Sequence, residues 1–166
     1  LPKRRKNGKK NASIGLDIGH SYIKLISLLP EGNGIRLDKY FIQPILSSSS
    51  ISASLKDLFS KCDFPVNKVN ISLAGDGTLV RNIWIPQMSS NELNASVKYE
   101  LGQYIPFPVD SVYYDISILG KGPFTRRENQ MRILLAAVKK QMLKERLKSL
   151  KDAGFAVSVV DMDALA

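Results

Sequence analysis

The chain has 166 residues, 44% hydrophobic and 23% charged, a composition that supports a folded core in one domain or two small ones. It contains no apolar run near the roughly 20 residues needed to cross a bilayer and no signal-peptide-like segment, which argues against secretion. The lone cysteine, Cys62, cannot form an intramolecular disulfide and lacks a partner at metal-ligand spacing, so it fits a reducing cytoplasm and reads as a small buried hydrophobe.

The formal charge of +9 points first to nucleic acid or anionic lipid, but Lys3, Arg4, Arg5, Lys6, Lys9 and Lys10 supply six of those charges. Residues 1–12 therefore read as a basic disordered arm, a solvated tail or remnant. An acidic membrane surface would gain about 1 kcal/mol from each basic residue near it. No specific nucleic-acid partner is expected. The chain opens without an initiator methionine and so reads as cut from a longer one.

Ser13–Ile18 and Tyr22–Leu28 read as two strands joined by a tight turn at Gly19–Ser21. A turn over Pro30–Gly34 and a third strand over Ile35–Ile42 complete a meander whose edge can accept a further strand after a helix. The serine run 47–50 leads into a helix over Ile51–Cys62, with Leu55, Leu58 and Phe59 facing inward. Pro65 ends it, Val69–Ala74 alternates like a half-buried strand, and Gly75-Asp76-Gly77 marks a module boundary. A second module opens with a strand over Leu79–Ile85. The spacing of Ser89 and Glu92 predicts a capping box, and Leu93, Val97, Leu101 and Ile105 form the apolar stripe of the helix it starts. Pro106 and Pro108 stop that helix, and strands follow at Ser111–Leu119 and Met131–Val138, joined by a charged loop over 120–129. A last helix, Gln141–Ala153, turns Leu143, Leu147 and Leu150 inward and Lys144, Lys148 and Lys151 outward. Gly154 stands at its cap and a strand over Ala156–Asp161 follows. This order predicts a mixed α/β architecture of two linked modules.

The segment Gly15-Leu16-Asp17-Ile18-Gly19-His20-Ser21-Tyr22-Ile23-Lys24 has the chemistry of a phosphate site. A glycine turn between paired strands lets backbone N–H groups approach an anion. A carboxylate ending the first strand can hold water around magnesium, and a lysine on the second can reach phosphate oxygens.

The same segment is similar to the first phosphate motif of the actin, sugar kinase and Hsp70 superfamily. Its continuation into Leu25-Ile26-Ser27-Leu28 resembles the PilM family within it. Glu100-Leu101-Gly102-Gln103-Tyr104-Ile105-Pro106-Phe107-Pro108-Val109, then Tyr114-Asp115-Ile116-Ser117-Ile118-Leu119-Gly120, resemble that family more specifically. The likeness continues through Ile133–Lys139 and Asp152–Phe155 and spans Ser13 to Ala164.

The resemblance implies an α/β, actin-like (ribonuclease H-like) partial domain carrying an inserted FtsA-type 1C subdomain. Residues 13–76 would form the first part of subdomain 1A, 77–153 subdomain 1C, and 154–166 a return strand into 1A. It further implies a nucleotide-binding scaffold of the type IV pilus inner-membrane assembly platform, cytoplasmic and peripheral to the inner membrane. ATP and Mg2+ are expected in the full-length protein and none tightly bound to this chain alone. The implied partners are other platform proteins and the cytoplasmic N-terminal peptide of a PilN-like inner-membrane protein, so membrane association would be indirect. Gly19, His20, Ser21 and Lys24 would face phosphate, with Asp17 on the magnesium side through water and no direct metal ligand. His20 departs from the Ser or Thr usual in relatives and reads as a turn residue rather than a catalyst.

The superfamily's second phosphate motif and its adenosine motif would both lie beyond Ala166. Asp161 and Asp163 resemble a carboxylate pair, but alternate strand residues can simply flank a solvated end. Tyr104, Phe107, Tyr113 and Tyr114 read as core or staple residues, with a peptide groove as the alternative. No nucleophile and base pair is present, so independent catalysis is not expected, and a weak ATPase stays open for the full-length protein. The rivals are an ATPase or phosphotransferase of the superfamily and an FtsA-like cell-division or secretion-system relative.

Overall fold

The computed structural model describes residues 12–45, 50–62, 68–120 and 130–165. Most of the basic arm, the loop serines 47–49, Pro65 and the loop 121–129 lie outside the described residues. The elements are β1 (Ser13–Ile18), β2 (Tyr22–Glu31), β3 (Gly34–Pro44), α1 (Ile51–Lys61), β4 (Lys68–Leu73), β5 (Thr78–Pro86), α2 (Ser90–Gly102), β6 (Val112–Gly120), β7 (Gln130–Lys139), α3 (Lys140–Asp152) and β8 (Ala156–Met162). Short 3-10 turns occupy Val109–Ser111 and Asp163–Leu165. They form two compact units. The first runs up to Ala74 and resumes at Glu145, and the second is Gly75–Lys144.

In the first unit the strands lie in the order β3-β2-β1-β4-β8. The first three form the antiparallel meander, and β4 and then β8 add in parallel. Parallel neighbours need crossover connections, and helices supply them here. Alternation divides the sheet: Ile14, Leu16, Ile18, Ile23, Leu25, Val69, Ile71 and Leu73 are all buried. Helix α1 lies over this face, placing Leu55 and Leu58 in the core, and β3 holds it through Gln43 Nε2, which donates to the Ser54 carbonyl and to Asp57 Oδ2. Ser50 caps the helix by accepting from the Ala53 N–H. Phe59 is only half-buried and meets Phe155 edge to face at 4.1 Å. Cys62 is buried, and desolvation pushes its thiol above the ordinary range.

Strand β2 runs on through Pro30 to Glu31, so the turn shrinks to Gly32-Asn33. Proline is tolerated because β1 stops pairing at Leu28 and asks no donor of Pro30 on that side. The second unit boundary falls inside α3, nine residues before the expected edge at 153/154, because this helix's last turns are seated in the first unit. Leu150, Ala153 and Phe155 are buried, and Ser52 Oγ on α1 donates to the Ser149 carbonyl. The helix ends in a Schellman turn, with Phe155 N–H donating to Leu150 and Gly154 N–H to Lys151, while Gly154 takes φ +91°.

The second unit is an antiparallel sheet, β5-β7-β6. Its core gathers Ile83, Ile85, Val112, Met131, Ile133, Leu135 and Ala137 with Leu93 and Leu101 of α2 and, just beyond that helix, Ile105. The Val97 side chain lies outside the described residues. The capping box is complete: Ser89 Oγ accepts from the Glu92 N–H, and Glu92 Oε2 accepts from the Ser89 N–H at 2.7 Å. Tyr104, Phe107 and Tyr114 pack partly buried on this core, and Tyr104 donates its hydroxyl proton to the Trp84 carbonyl. Tyr113 is exposed instead, with the Lys140 ammonium over its ring.

Gly154→Val is expected to cost about 1–2 kcal/mol, because a β-branched residue resists positive φ; urea unfolding should show a lower midpoint at unchanged slope. The backbone hydrogen bond from Ser89 holds the Glu92 carboxyl below its ordinary range. Glu92 therefore stabilises the fold above the unfolded carboxylate value of about 4.3 and loses that contribution as pH falls through its lower folded value. The stability gap between the parent and Glu92→Gln should be full at neutral pH and close in acid, as followed by thermal unfolding against pH.

Candidate functional site

The face of the first sheet opposite α1 carries the candidate site, and the strand registers build it. Asp17 stands opposite Lys24 across β1 and β2, Ser72 is level with Asp17 on β4, and Asp161 is level with Ser72 on β8. These side chains form one polar row near the carboxyl ends of the three parallel strands, where ligands collect in open α/β sheets. One layer deeper runs a second row, Tyr40, Ile26, Gly15, Asn70 and Val159. Both rows line a hollow of about 570 Å³.

Gly15 makes the hollow possible. A Cβ there would sit 3.0 Å from Ile26 Cγ2, so a larger residue would fill the floor or displace its neighbour. Around it Tyr40 (68% exposed), Ile42 (62%) and Val159 (51%) leave large apolar surface open to solvent.

Lys24 Nζ donates to Asp17 Oδ2 at 2.9 Å. That bond and the adjoining negative charge hold the Lys24 ammonium above its ordinary range, with a smaller contribution from Asp163. Asp17 and Lys24 are thus brought together within the hollow. Gly19, His20 and Ser21 lie exposed in the turn just beyond it. The Gly19 N–H is occupied, donating to the Tyr22 carbonyl at 3.0 Å, and the Ser21 carbonyl accepts from Ile45. Among the described residues, the N–H groups of His20 and Ser21 have no partner, so these two, rather than Gly19, are the turn's available donors.

Asp161 faces the hollow, whereas Asp163 lies in the 3-10 turn beyond β8. Among the described residues no cluster of three or more His, Cys, Asp or Glu could hold a metal directly. Sequence reasoning left out Asn70 and Ser72. Their signal was the alternation of β4, which puts them opposite its buried Val69, Ile71 and Leu73.

An open mixed sheet ordered β3-β2-β1-β4-β8, interrupted before its last strand by a separate unit, defines an actin-like α/β partial domain with an insertion. The solved PilM–PilN type IV pilus biogenesis complex contains a similar chain, at TM-score 0.72 and 24% identity over 92% of this chain and 47% of that one. The cytoplasmic domain of EpsL, an inner-membrane component of the type II secretion system of Vibrio cholerae, matches at TM-score 0.63 and 19% identity over 93% and 58%. The chain therefore spans about half the length of the solved chains it matches. The family model for the type IV pilus assembly protein PilM matches residues 15–166, and the chain belongs to that family.

Because the Lys24–Asp17 pair is solvent-exposed, at 57% and 35%, its attraction is screened. Asp17→Asn is expected to leave the thermal midpoint essentially where it is, so any loss of ligand binding in that variant reports on the site and not on the fold.

Proposed function

We propose that this chain forms one wall of the nucleotide site of an actin-like scaffold in the type IV pilus assembly platform, at the cytoplasmic side of the inner membrane. The observation that carries this reading is the Lys24–Asp17–Ser72–Asp161 row at the carboxyl ends of the strands, above a hollow floored by Gly15. Lys24 and the His20 and Ser21 N–H groups would meet phosphate oxygens. Asp17, with Asp161 beside it, would hold the hydration shell of a magnesium ion, whose chemistry is charge neutralisation of the phosphates. The first unit corresponds to subdomain 1A and the second to an inserted subdomain 1C. Among the described residues no helix is long and apolar enough to cross a membrane. This is compatible with attachment through a partner, and the PilN of the matched complex supports a PilN-like membrane protein in that role.

The row is open on one side, where phosphates would stay largely hydrated. A few screened contacts cannot offset the several kcal/mol of freedom lost on binding. This chain alone should therefore bind Mg-ATP more weakly than about 1 mM. The full-length protein should bind it more tightly and lose about tenfold in affinity on Lys24→Ala or Asp17→Ala. Fluorescent-nucleotide titration tests both statements, and micromolar binding by this chain alone would overturn the half-site reading. In calorimetry, the cytoplasmic N-terminal peptide of the cognate PilN-like protein should bind at about micromolar affinity. Binding to the full-length protein but not to this chain would move the docking surface elsewhere.

A further inference from the structure

We propose that the apolar part of the first sheet's open face is an internal docking surface, covered in the full-length protein by a helix drawn from sequence outside these 166 residues. The surface follows from register. Ile35, Leu37, Tyr40 and Ile42 on β3 stand opposite Pro30, Leu28, Ile26 and Lys24 on β2, so all four share the face of Ile26 and Lys24. Val159 on β8 is level with Asn70 and joins the same face from the other side of the sheet. The four β3 side chains and Val159 are each half exposed or more, and Ile35 reaches 75%. A contiguous apolar patch of this kind marks a contact surface.

The sheet itself indicates the form of the cover. On its other face α1 buries Leu55 and Leu58, and sheets whose parallel strands are joined by helical crossovers are as a rule covered on both sides. The relief of the open face suits a second helix. Gly15 puts no side chain between Ile26 and Asn70, and the resulting hollow of about 570 Å³ can seat several apolar side chains of an element crossing it. Asn70 keeps a partner beneath such a cover, since its Nδ2 donates to Ser13 Oγ at 3.1 Å. From Ile35 to Ile42 the surface runs roughly 23 Å, which a helix of about 15 residues spans. The cover stops at the polar row, because an apolar stripe laid over Lys24, Asp17 and Asp161 would strand their charges.

The occupant is argued from length. This chain covers 47% of the chain matched in the PilM–PilN complex, so more than half of that molecule lies outside the shared part. A segment of the same molecule is held near the face at an effective concentration in the millimolar range, whereas a second copy arrives only at its concentration in solution. That difference favours a helix of the chain itself over a dimer.

The test is thiol labelling of Leu37→Cys and Tyr40→Cys, each made in this chain and in the full-length protein, with the parent supplying the background of Cys62. Both positions should label rapidly in this chain and about 100-fold more slowly in the full-length monomer without nucleotide. Lys56→Cys, on the exposed side of α1, should label rapidly in both. The unsubstituted proteins give a second measurement: the fluorescence of an apolar dye such as ANS should be severalfold higher, per mole, on this chain. Rapid labelling in the full-length monomer, or equal dye fluorescence, would overturn the proposal. Protection that disappears on dilution would make a second copy the occupant, and protection that appears only with Mg-ATP would make the nucleotide the occupant; either would also overturn it. Failure of the full-length protein to bind nucleotide would sink the functional reading and leave this result untouched.

Discussion

The first unit depends on the register between β1 and β2. With Ile14, Leu16 and Ile18 turned to one face and Ile23 and Leu25 turned with them, the pairing also sets Asp17 across from Lys24 on the other face. A slip of one residue would bring Asp17 into the core and its apolar neighbours into the hollow, so the burial of five aliphatic side chains fixes the position of one ion pair. The turn at Gly19–Ser21 is short enough to allow no slack in this register, and it is closed by the Gly19 N–H. Packing therefore does the work of placing charge.

The same constraint passes across the sheet to β4 and β8. β4 adds in parallel with its alternation in phase and β8 joins it through a register shift, so Ser72 and Asp161 arrive level with Asp17 although they come from distant stretches of sequence. What results is a surface with a charged rim and an apolar floor: the polar row lies at the strand ends, and Tyr40, Ile26 and Val159 lie one layer in.

Much of this was legible in the sequence, for reasons that differ by element. The capping box at Ser89 and Glu92 and the glycine stop at Gly154 are local signals that require nothing from the rest of the chain. The strands of the meander could be read from alternation alone. Pairing between remote segments could not be read: the level placement of Ser72 and Asp161 follows a register shift between Val69 and Asn70 that no periodicity announces. The division inside α3 could not be read because α3 is one continuous helix, and a helix shows no sign of which of its turns belongs to which core. Gly19 was expected to face phosphate; that its own N–H closes the turn could not be read, because glycine signals a turn but not how the turn uses that group.

The way the second unit begins and ends bears on how the first can assemble. Thr78 pairs with Val138, and the Lys139 N–H donates to the Gly77 carbonyl, so the unit's entry and exit are fastened together. Once this clasp has formed, the chain between β4 and α3 behaves for the host sheet as a short connection, and the distance in sequence between β4 and β8 no longer counts. Loop-closure entropy grows only slowly with length, but non-local strand pairing is still among the slower events in folding. The fastened ends thus shorten the effective connection from β4 to β8, so the last strand of the row depends for its closeness to β4 on a unit that contributes no side chain to the row.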